Sequence, residues 1–444
     1  MLLATGGGVH GRYRTIDGKV GGVHVGVSFS GRRLIHPMMG ELEVMARYIN
    51  TTTGAATERF GFKGTDLGYF ALTNHGYCMS VFGDTFDNPM PGGSGWRSPV
   101  ILRQSNRDLA NGLKWDNAVG GTRAKQVVDY THHSAAVANT KPYAPFTVIP
   151  NDIAHLPDGT YIMSTFVVRS WERQGPYSWV TWGNKFYTSI GLHGEKWAPA
   201  TFADLDHGKA PMQFNNDPAQ GWRCFQNASL VMHPDGYLYM FGTESGRKDG
   251  GGIFLARVKW ENWRHLFKWE FWGWTGTQWQ WGTKTPTAII TPTLKDRPIG
   301  EINAQLIDGV VVLAYADYGI GAVTRTATHP ASVWTDPQVH ATQADTPNLY
   351  APSVHPYSTL AEPYAHISQW HKTFYGCKFY QLAPLRDPRP VEPGTEDGTA
   401  EGTNLQLCRP VGDLTAAELA DILTADTTVN SMDLAVELTK RLTK

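Results

Sequence analysis

Cysteine is scarce in this chain and scattered. The four cysteines, Cys78, Cys224, Cys377 and Cys408, form no CxxC pair. That excludes a disulfide framework and a cysteine zinc site, and leaves buried free thiols as their expected state. Charge is thin as well. Only 18% of the 444 residues are charged and the formal net charge is −1, so the whole chain has no basic footprint for nucleic acid. Long apolar runs are missing: Val310 to Ala316, among the longest, is far too short to span a membrane. There is no Walker loop, GxSxG, HExxH or dinucleotide fingerprint. The histidines, including His132-His133, show no metal-ligand spacing, and no metal or cofactor is expected. What the chain does hold is glycine (47 residues), tryptophan (16) and tyrosine (18). That mixture suits an all-β protein with many tight turns and aromatic surfaces.

One stretch organises the rest. Leu67 to Leu72 is apolar, Asn74-His75-Gly76 is a turn signal, and Tyr77 to Phe82 is apolar again. This predicts a β-hairpin. A turn centred on His75 sets Asp66 opposite Asp84, and directly opposed residues in an antiparallel pair have Cα atoms roughly 4.5–5.5 Å apart. Two carboxylates side by side are costly unless something uses them.

The same unit recurs. Hairpins are expected around Pro157-Asp158-Gly159, Pro234-Asp235-Gly236, Asp308-Gly309 and Ser358, with starts near residues 66, 152, 227, 301 and 350. This spacing exceeds one hairpin and suits a four-stranded sheet with loops. Five such sheets arranged radially predict a five-bladed β-propeller. The inner hairpins then bring Asp66/Asp84, Asp152/Thr165, Asn227/Glu244, Glu301/Asp317 and Tyr350/Trp370 to one mouth of the central channel. Residues 1–58 read as an N-terminal arm for attachment or packing, with a short helix over Leu42 to Ile49. Residues 59–382 form the propeller. Residues 383–412 are a Pro/Gly/acidic linker. Residues 413–444 are a helical tail opened by a Thr415–Glu418 capping box, with apolar positions too few for a core of their own.

Two carboxyls flanking a scissile bond are the requirement of glycoside hydrolysis, one as proton donor and one as nucleophile or base. Asp66 and Asp84 are the candidates; the competing reading is that both cap turns. Asp152, Glu244, Glu301 and Asp317 are further rim acids, able to raise the pKa of the acid partner, hold a sugar hydroxyl or bind a structural cation; the competing reading is solvated or arginine-paired acids. Trp96 and Arg97 offer a sugar platform and a carboxylate partner, or else a packing corner. Gln226, Asn227 and Gln369 have the polarity for hydroxyl recognition, and Tyr350 and Trp370 add aromatic surface. Residues 260–281 hold seven tryptophans, expected mostly to pack blade on blade, with one or two as a sugar platform.

The motifs Gly64-Thr65-Asp66, Phe82-Gly83-Asp84-Thr85, Gly95-Trp96-Arg97-Ser98-Pro99, Asn151-Asp152, Phe241-Gly242-Thr243-Glu244-Ser245-Gly246-Arg247, Leu255-Ala256-Arg257-Val258, Gly300-Glu301 and Ser368-Gln369-Trp370 fall in order. Over about residues 59–382 the chain resembles the five-bladed propeller family, long known as a domain of unknown function, that contains endo-D-arabinanases. The resemblance implies cleavage of D-arabinofuranosyl linkages in mycobacterial cell-wall arabinan, with Asp66 and Asp84 as the catalytic pair. The arm, the helical tail and the absence of an apolar leader after Met1 depart from the family's usual pattern. They lead to the expectation of a protein acting outside the cell on a bacteriophage tail. Its partners would be arabinan, other tail proteins through 1–58 and 413–444, and further copies of itself, such as in a trimer. The rival expectation is a non-catalytic glycan receptor-binding or structural tail protein of the same fold.

Overall fold

The computed structural model describes residues 33–36, 40–43, 46–141, 144–171, 180–191, 193–244, 251–295 and 297–390. Among the described residues a two-stranded sheet, Arg33–His36 with Gly40–Glu43, precedes five larger antiparallel sheets that follow one another along the chain. Blade 1 is Leu67–Leu72, Cys78–Phe82, Val100–Gln104 and Asn117–Ala118. Blade 2 is Thr147–His155, Tyr161–Val168 and Thr181–Ile190, with Lys196–Pro199 and Gln213–Asn215 both paired to the third strand. Blade 3 has five strands: Asn227–Met232, Tyr237–Thr243, Phe254–Lys259, Glu270–Trp274 and Trp279–Thr283. Blade 4 is Ile299–Ile307, Val310–Asp317, Gly321–Ala327 and Gln338–Thr342. Blade 5 is Leu349–Val354, Tyr364–His371 and Phe374–Gln381, and its outer strand is Arg47–Thr51 from the start of the chain. The first strands of successive blades adjoin, and the first strand of blade 5 returns to that of blade 1. The ring is closed: this is a five-bladed propeller.

The core follows from strand alternation. Each blade buries residues on both faces, so the apolar clusters lie between neighbours. Phe186, Phe214, Leu230 and Met240 join blades 2 and 3. Val312, Leu349, Ile367 and Tyr380 join blades 4 and 5. Phe70, Phe82, Val100, Tyr364 and Phe379 join blades 5 and 1, so the closing interface is as apolar as the others.

The structure corrects three expectations. Leu42 to Ile49 is not a helix: Gly40–Glu43 and Arg47–Thr51 are strands. The hydrogen-bonding edge of Phe374–Gln381 captures the second of them, so tertiary pairing overrides local propensity. The propeller therefore starts at Arg47 and not at residue 59. The opposed pairs also shift. Asp152 faces Ser164, Asn227 faces Thr243, Asp317 faces Ile299 and Tyr350 faces Ser368. In blades 1, 4 and 5 a β-bulge near the start of the inner hairpin, at 67/69, 299/302 and 350/353, moves the register by one residue; in blades 2 and 3 the register set at the turn already pairs Asp152 with Ser164 and Asn227 with Thr243. Most of the arm, the linker beyond residue 390 and the helical tail lie outside the described residues. Cys78, Cys224 and Cys377 are free thiols. Among the described residues no helix is long and apolar enough to cross a membrane.

Candidate active site

The bulge in blade 1 sets the position of Asp66. From Leu72 to Tyr69 the hairpin keeps the register expected for a turn at His75, pairing Leu72 with Cys78 and Tyr69 with Val81. Leu67 and Gly68 then both take positive φ, 68° and 72°. For leucine this costs on the order of 1–2 kcal/mol. The strain is held by Ser368 Oγ, which accepts from Leu67 N–H at 2.9 Å, and by burial of the side chain. Asp66 consequently faces Gly83, whose N–H donates to the Asp66 carbonyl at 3.1 Å. The Asp66 carboxylate folds over Gly83, where a β-carbon would collide with Oδ1. Tyr350 donates to Asp66 Oδ2 at 2.9 Å from blade 5.

Asp84 is one residue further on and is nearly buried, at 7% exposure. Its Oδ1 accepts from Trp96 Nε1 and from Thr147 Oγ1, both at 2.7 Å. Burial pushes its pKa up to about 6, against the lowering effect of those two donors. Trp96 is fixed in turn by stacking on His132, with centroids 3.8 Å apart. Thr65 and Thr85, each next to one aspartate, share a 2.7 Å hydroxyl hydrogen bond.

Tyrosines bind the pair together. Tyr375 is buried and donates to the backbone carbonyl of Asp84 at 3.1 Å. Burial first, and then the neighbouring Asp66 charge, hold its pKa well above the ordinary value. Tyr69 is buried behind them, and its hydroxyl has no hydrogen-bond partner among the described residues. Burial, then Glu301, Asp152 and Asp66, raise its pKa. These are two carboxyls in unlike surroundings, one buried and half protonated near pH 6, the other braced by phenols. That is the arrangement acid/base chemistry uses.

The other expected site residues divide. Asp66, Asp84, Trp96 and Tyr350 meet at this place, and Glu301 lies near it, in reach of the Tyr318 hydroxyl at 3.4 Å. Arg97 does not pair with a site acid. It bridges Asp87 at 2.8 Å and the Ala124 and Gly61 carbonyls, each at 2.7 Å, and so stiffens the loop behind Trp96. Asp152 straps blade 2 to blade 3: its carboxylate accepts from the Ser229 hydroxyl, from Leu230 N–H at 2.9 Å and from Ile153 N–H at 2.8 Å. Burial raises its pKa to about 7. Asp317 receives the N–H groups of Thr293 and Gly319, each at 3.0 Å, and anchors a loop. Gln226 is fully buried and spends its amide on Thr181, Phe214 and Trp222. Gln369 is nearly buried and donates to the Pro347 carbonyl at 3.0 Å. Asn227 is buried, Glu244 is half-buried and Trp370 is 50% exposed. No cue in the sequence marked Tyr375, Thr147, Tyr69 or His132. Tyr69 sits on the inner strand of blade 1, Thr147 opens blade 2 and His132 lies in the loop between them; Tyr375, on the third strand of blade 5, is brought in by ring closure.

Away from the mouth, His233, Asp235 and His329 cluster at the far turns of blades 3 and 4 in a geometry that could hold a cation. His329 Nδ1 accepts from Ala331 N–H at 3.2 Å, which leaves the proton of the neutral ring on Nε2, 3.2 Å from Asp235 Oδ2. The group reads as a hydrogen-bonded clasp between blades.

Residues 51–383 match the model of a family described as a domain of unknown function (DUF4185), and the chain belongs to that family. The notoamide biosynthesis cluster protein J' of Aspergillus versicolor is 27% identical over 342 residues, 71% of this chain and 83% of the relative. A Bacteroides ovatus protein of known structure, provisionally described as a hydrolase, superposes with a TM-score of 0.50 at 14% identity, over 74% of this chain and 88% of its own; this likeness bears on the fold alone. The alpha-L-arabinofuranosidase PaAbf62A of Podospora anserina is one of several glycoside hydrolases in a looser group. It has a TM-score of 0.43 at 10% identity, covering 76% and 96% of the two chains, and that distance carries no argument about chemistry.

Proposed function

We propose that this member of the DUF4185 family is an endo-acting glycoside hydrolase that cleaves D-arabinofuranosyl linkages, with Asp84 as proton donor and Asp66 as nucleophile. The observation that carries the reading is the unlike environment of two adjacent carboxyls. Burial holds Asp84 near a pKa of 6, so a large fraction is protonated in weakly acidic solution and can serve as general acid. Asp66 accepts a hydrogen bond from Tyr350, which fixes the direction of its carboxyl.

In the first step the Asp84 proton passes to the glycosidic oxygen as its bond to the anomeric carbon breaks, and Asp66 Oδ bonds to that carbon. In the second step water attacks the same carbon, its proton returns to Asp84, and the Asp66 ester is released. Retention requires the two carboxyls to lie about 5–5.5 Å apart, and the anomer of the released product, read by NMR, distinguishes it from inversion. The choice of D-arabinan rests on the order of motifs shared with the endo-D-arabinanases. Purified mycobacterial arabinogalactan incubated with the protein should release oligosaccharides visible by chromatography. Polymer that stays intact through a long incubation overturns the proposal.

A further inference from the structure

Blade 3 carries a feature that the site above does not use. Its fourth and fifth strands form a hairpin, Glu270–Trp274 and Trp279–Thr283, on the side away from the central channel. Trp272 pairs with Trp281 and Trp274 with Trp279. Residues two apart on a strand share a face, so four indoles line one side of the ribbon. The inner two are anchored. Trp272 and Trp281 pack against the core shared by blades 3 and 4, and the Arg257 guanidinium sits 4.0 Å over the Trp281 ring. The outer two are open, Trp274 at 44% and Trp279 at 39% exposure. Trp279 lies nearly parallel to Trp272, with centroids 6.0 Å apart and planes 16° apart, and meets Trp274 at 61°. The result is an open aromatic corner on a fixed base.

The chemistry around it selects an occupant. From Phe271 to Thr283 no side chain is charged, and the tip is Thr275, Gly276, Thr277 and Gln278. An uncharged aromatic surface rimmed by hydroxyls and an amide complements a neutral polyol, whose C–H faces stack and whose hydroxyls hydrogen-bond. The cation at its base, Arg257, is already paired with Glu270 at 2.9 Å, which disfavours an anionic polymer. Pairing of a second copy on the open edge is opposed by the bulge between Phe271 and Trp272 and by Gly282 at φ 81°, which break the regularity of the edge. A cross-strand ladder stabilises a hairpin, which accounts for the inner pair but not for exposing the outer one.

We infer that the Trp274–Trp279 corner is a second glycan-binding site, which holds a neutral polysaccharide on the protein apart from the cleft where it is cut. The inference shares with the proposed hydrolase reading only the choice of polymer. The test is affinity electrophoresis of the full chain in native gels cast with mycobacterial arabinogalactan, or with polygalacturonate as an anionic control. The Asp66→Asn variant serves as the parent, so that no cleavage occurs during the run. The parent should be retarded by arabinogalactan and not by polygalacturonate. Trp274→Ala and Trp279→Ala should together weaken retardation about tenfold, and Trp279→Phe should recover part of it. Thermal melting reports whether each variant folds, and Trp279→Phe keeps the test open if the alanine variants do not. Equal retardation of parent and folded tryptophan variants overturns the inference, as does absence of retardation by arabinogalactan. Tryptophan-dependent retardation with a wild-type protein that never cuts the polymer would support this site while rejecting the hydrolase. Cutting without such retardation would do the reverse.

Discussion

Tyr350 and Asp66 are 284 positions apart in the chain, and the tyrosine hydroxyl lies 2.9 Å from the carboxylate. Tyr350 belongs to the last blade and Asp66 to the first, so the candidate site exists only when the ring is closed. Both residues flank strained backbone, at Leu67 (φ 68°) and Ala351 (φ 46°). Matching bulges in the two blades turn the two side chains toward each other. Tyr350→Phe keeps the ring and removes the donor. A hydrogen bond to a charged group is worth roughly 1.5–3 kcal/mol, so kcat on arabinan should fall about 10- to 100-fold with KM little changed. Steady-state kinetics beside a thermal melt check this; unchanged kcat would remove Tyr350 from the mechanism.

Replacing either carboxyl separates chemistry from folding. Asp66→Asn and Asp84→Asn should each abolish arabinan cleavage. For Asp84 the effect on stability has a definite sign. Its folded pKa, about 6, lies above the ordinary aspartate value, so the folded state binds the proton more tightly than the unfolded chain. Stability from this group is full below the unfolded pKa of ~3.9 and declines as pH rises to about 6. At pH 7 the charged side chain therefore costs on the order of 2–3 kcal/mol. Asp84→Asn should melt higher than wild type at pH 7, with the gain shrinking toward pH 4. A lower melting point at pH 7 would contradict the assignment.

The same shift sets the activity profile. A general acid must be protonated in the free enzyme, so kcat/KM should fall above about pH 6. Thr147 and Trp96 donate to the charged form of Asp84 and lower its pKa. Thr147→Val removes one of those donors. The basic limb of its kcat/KM profile should move to higher pH, and a limb that stays put or moves down would count against Asp84 as the acid.

Much of this molecule was legible beforehand. The turn signals at His75, Asp158, Asp235 and Asp308 each mark an inner hairpin, because tight turns restrict residue choice while apolar runs mark buried strands. Asp66 and Asp84 stood out as acids at hairpin ends. What alternation could not reveal was the bulges, since one extra residue changes register without changing composition. They convert the expected Asp66–Asp84 opposition into Asp66 over Gly83. Nor could it reveal pairing across the whole chain: Leu42 to Ile49 read as helix, although Arg47–Thr51 is a strand, because that strand's partner lies more than 300 positions away. Tyr375 was invisible for the same reason. The rim acids were over-read, since Asp152 and Asp317 serve as backbone acceptors, a duty that residue type alone does not distinguish from ligand binding.

Gly83 offers the sharpest test of local geometry. A methyl group there would collide with Asp66 Oδ1 and stand 3.0 Å from Leu67 Cδ1. The carboxylate is the easier to displace, because Leu67 is buried and its backbone is already strained. Gly83→Ala should then swing Asp66 away from the bond it attacks and cut kcat about 100-fold or more, while overpacking costs about 1–3 kcal/mol of stability. Gly76→Ala, at the far turn of the same hairpin, is the matched control. A β-carbon there meets nothing within 4 Å, but φ is 80°, so it should cost about 1 kcal/mol of stability and leave kcat intact. Urea unfolding and initial-rate measurements on the two variants separate a shared loss of stability from a loss of chemistry confined to position 83. Near-normal turnover by Gly83→Ala would mean that the Asp66 carboxylate need not lie where the fold holds it, and the mechanism built on that placement would fail.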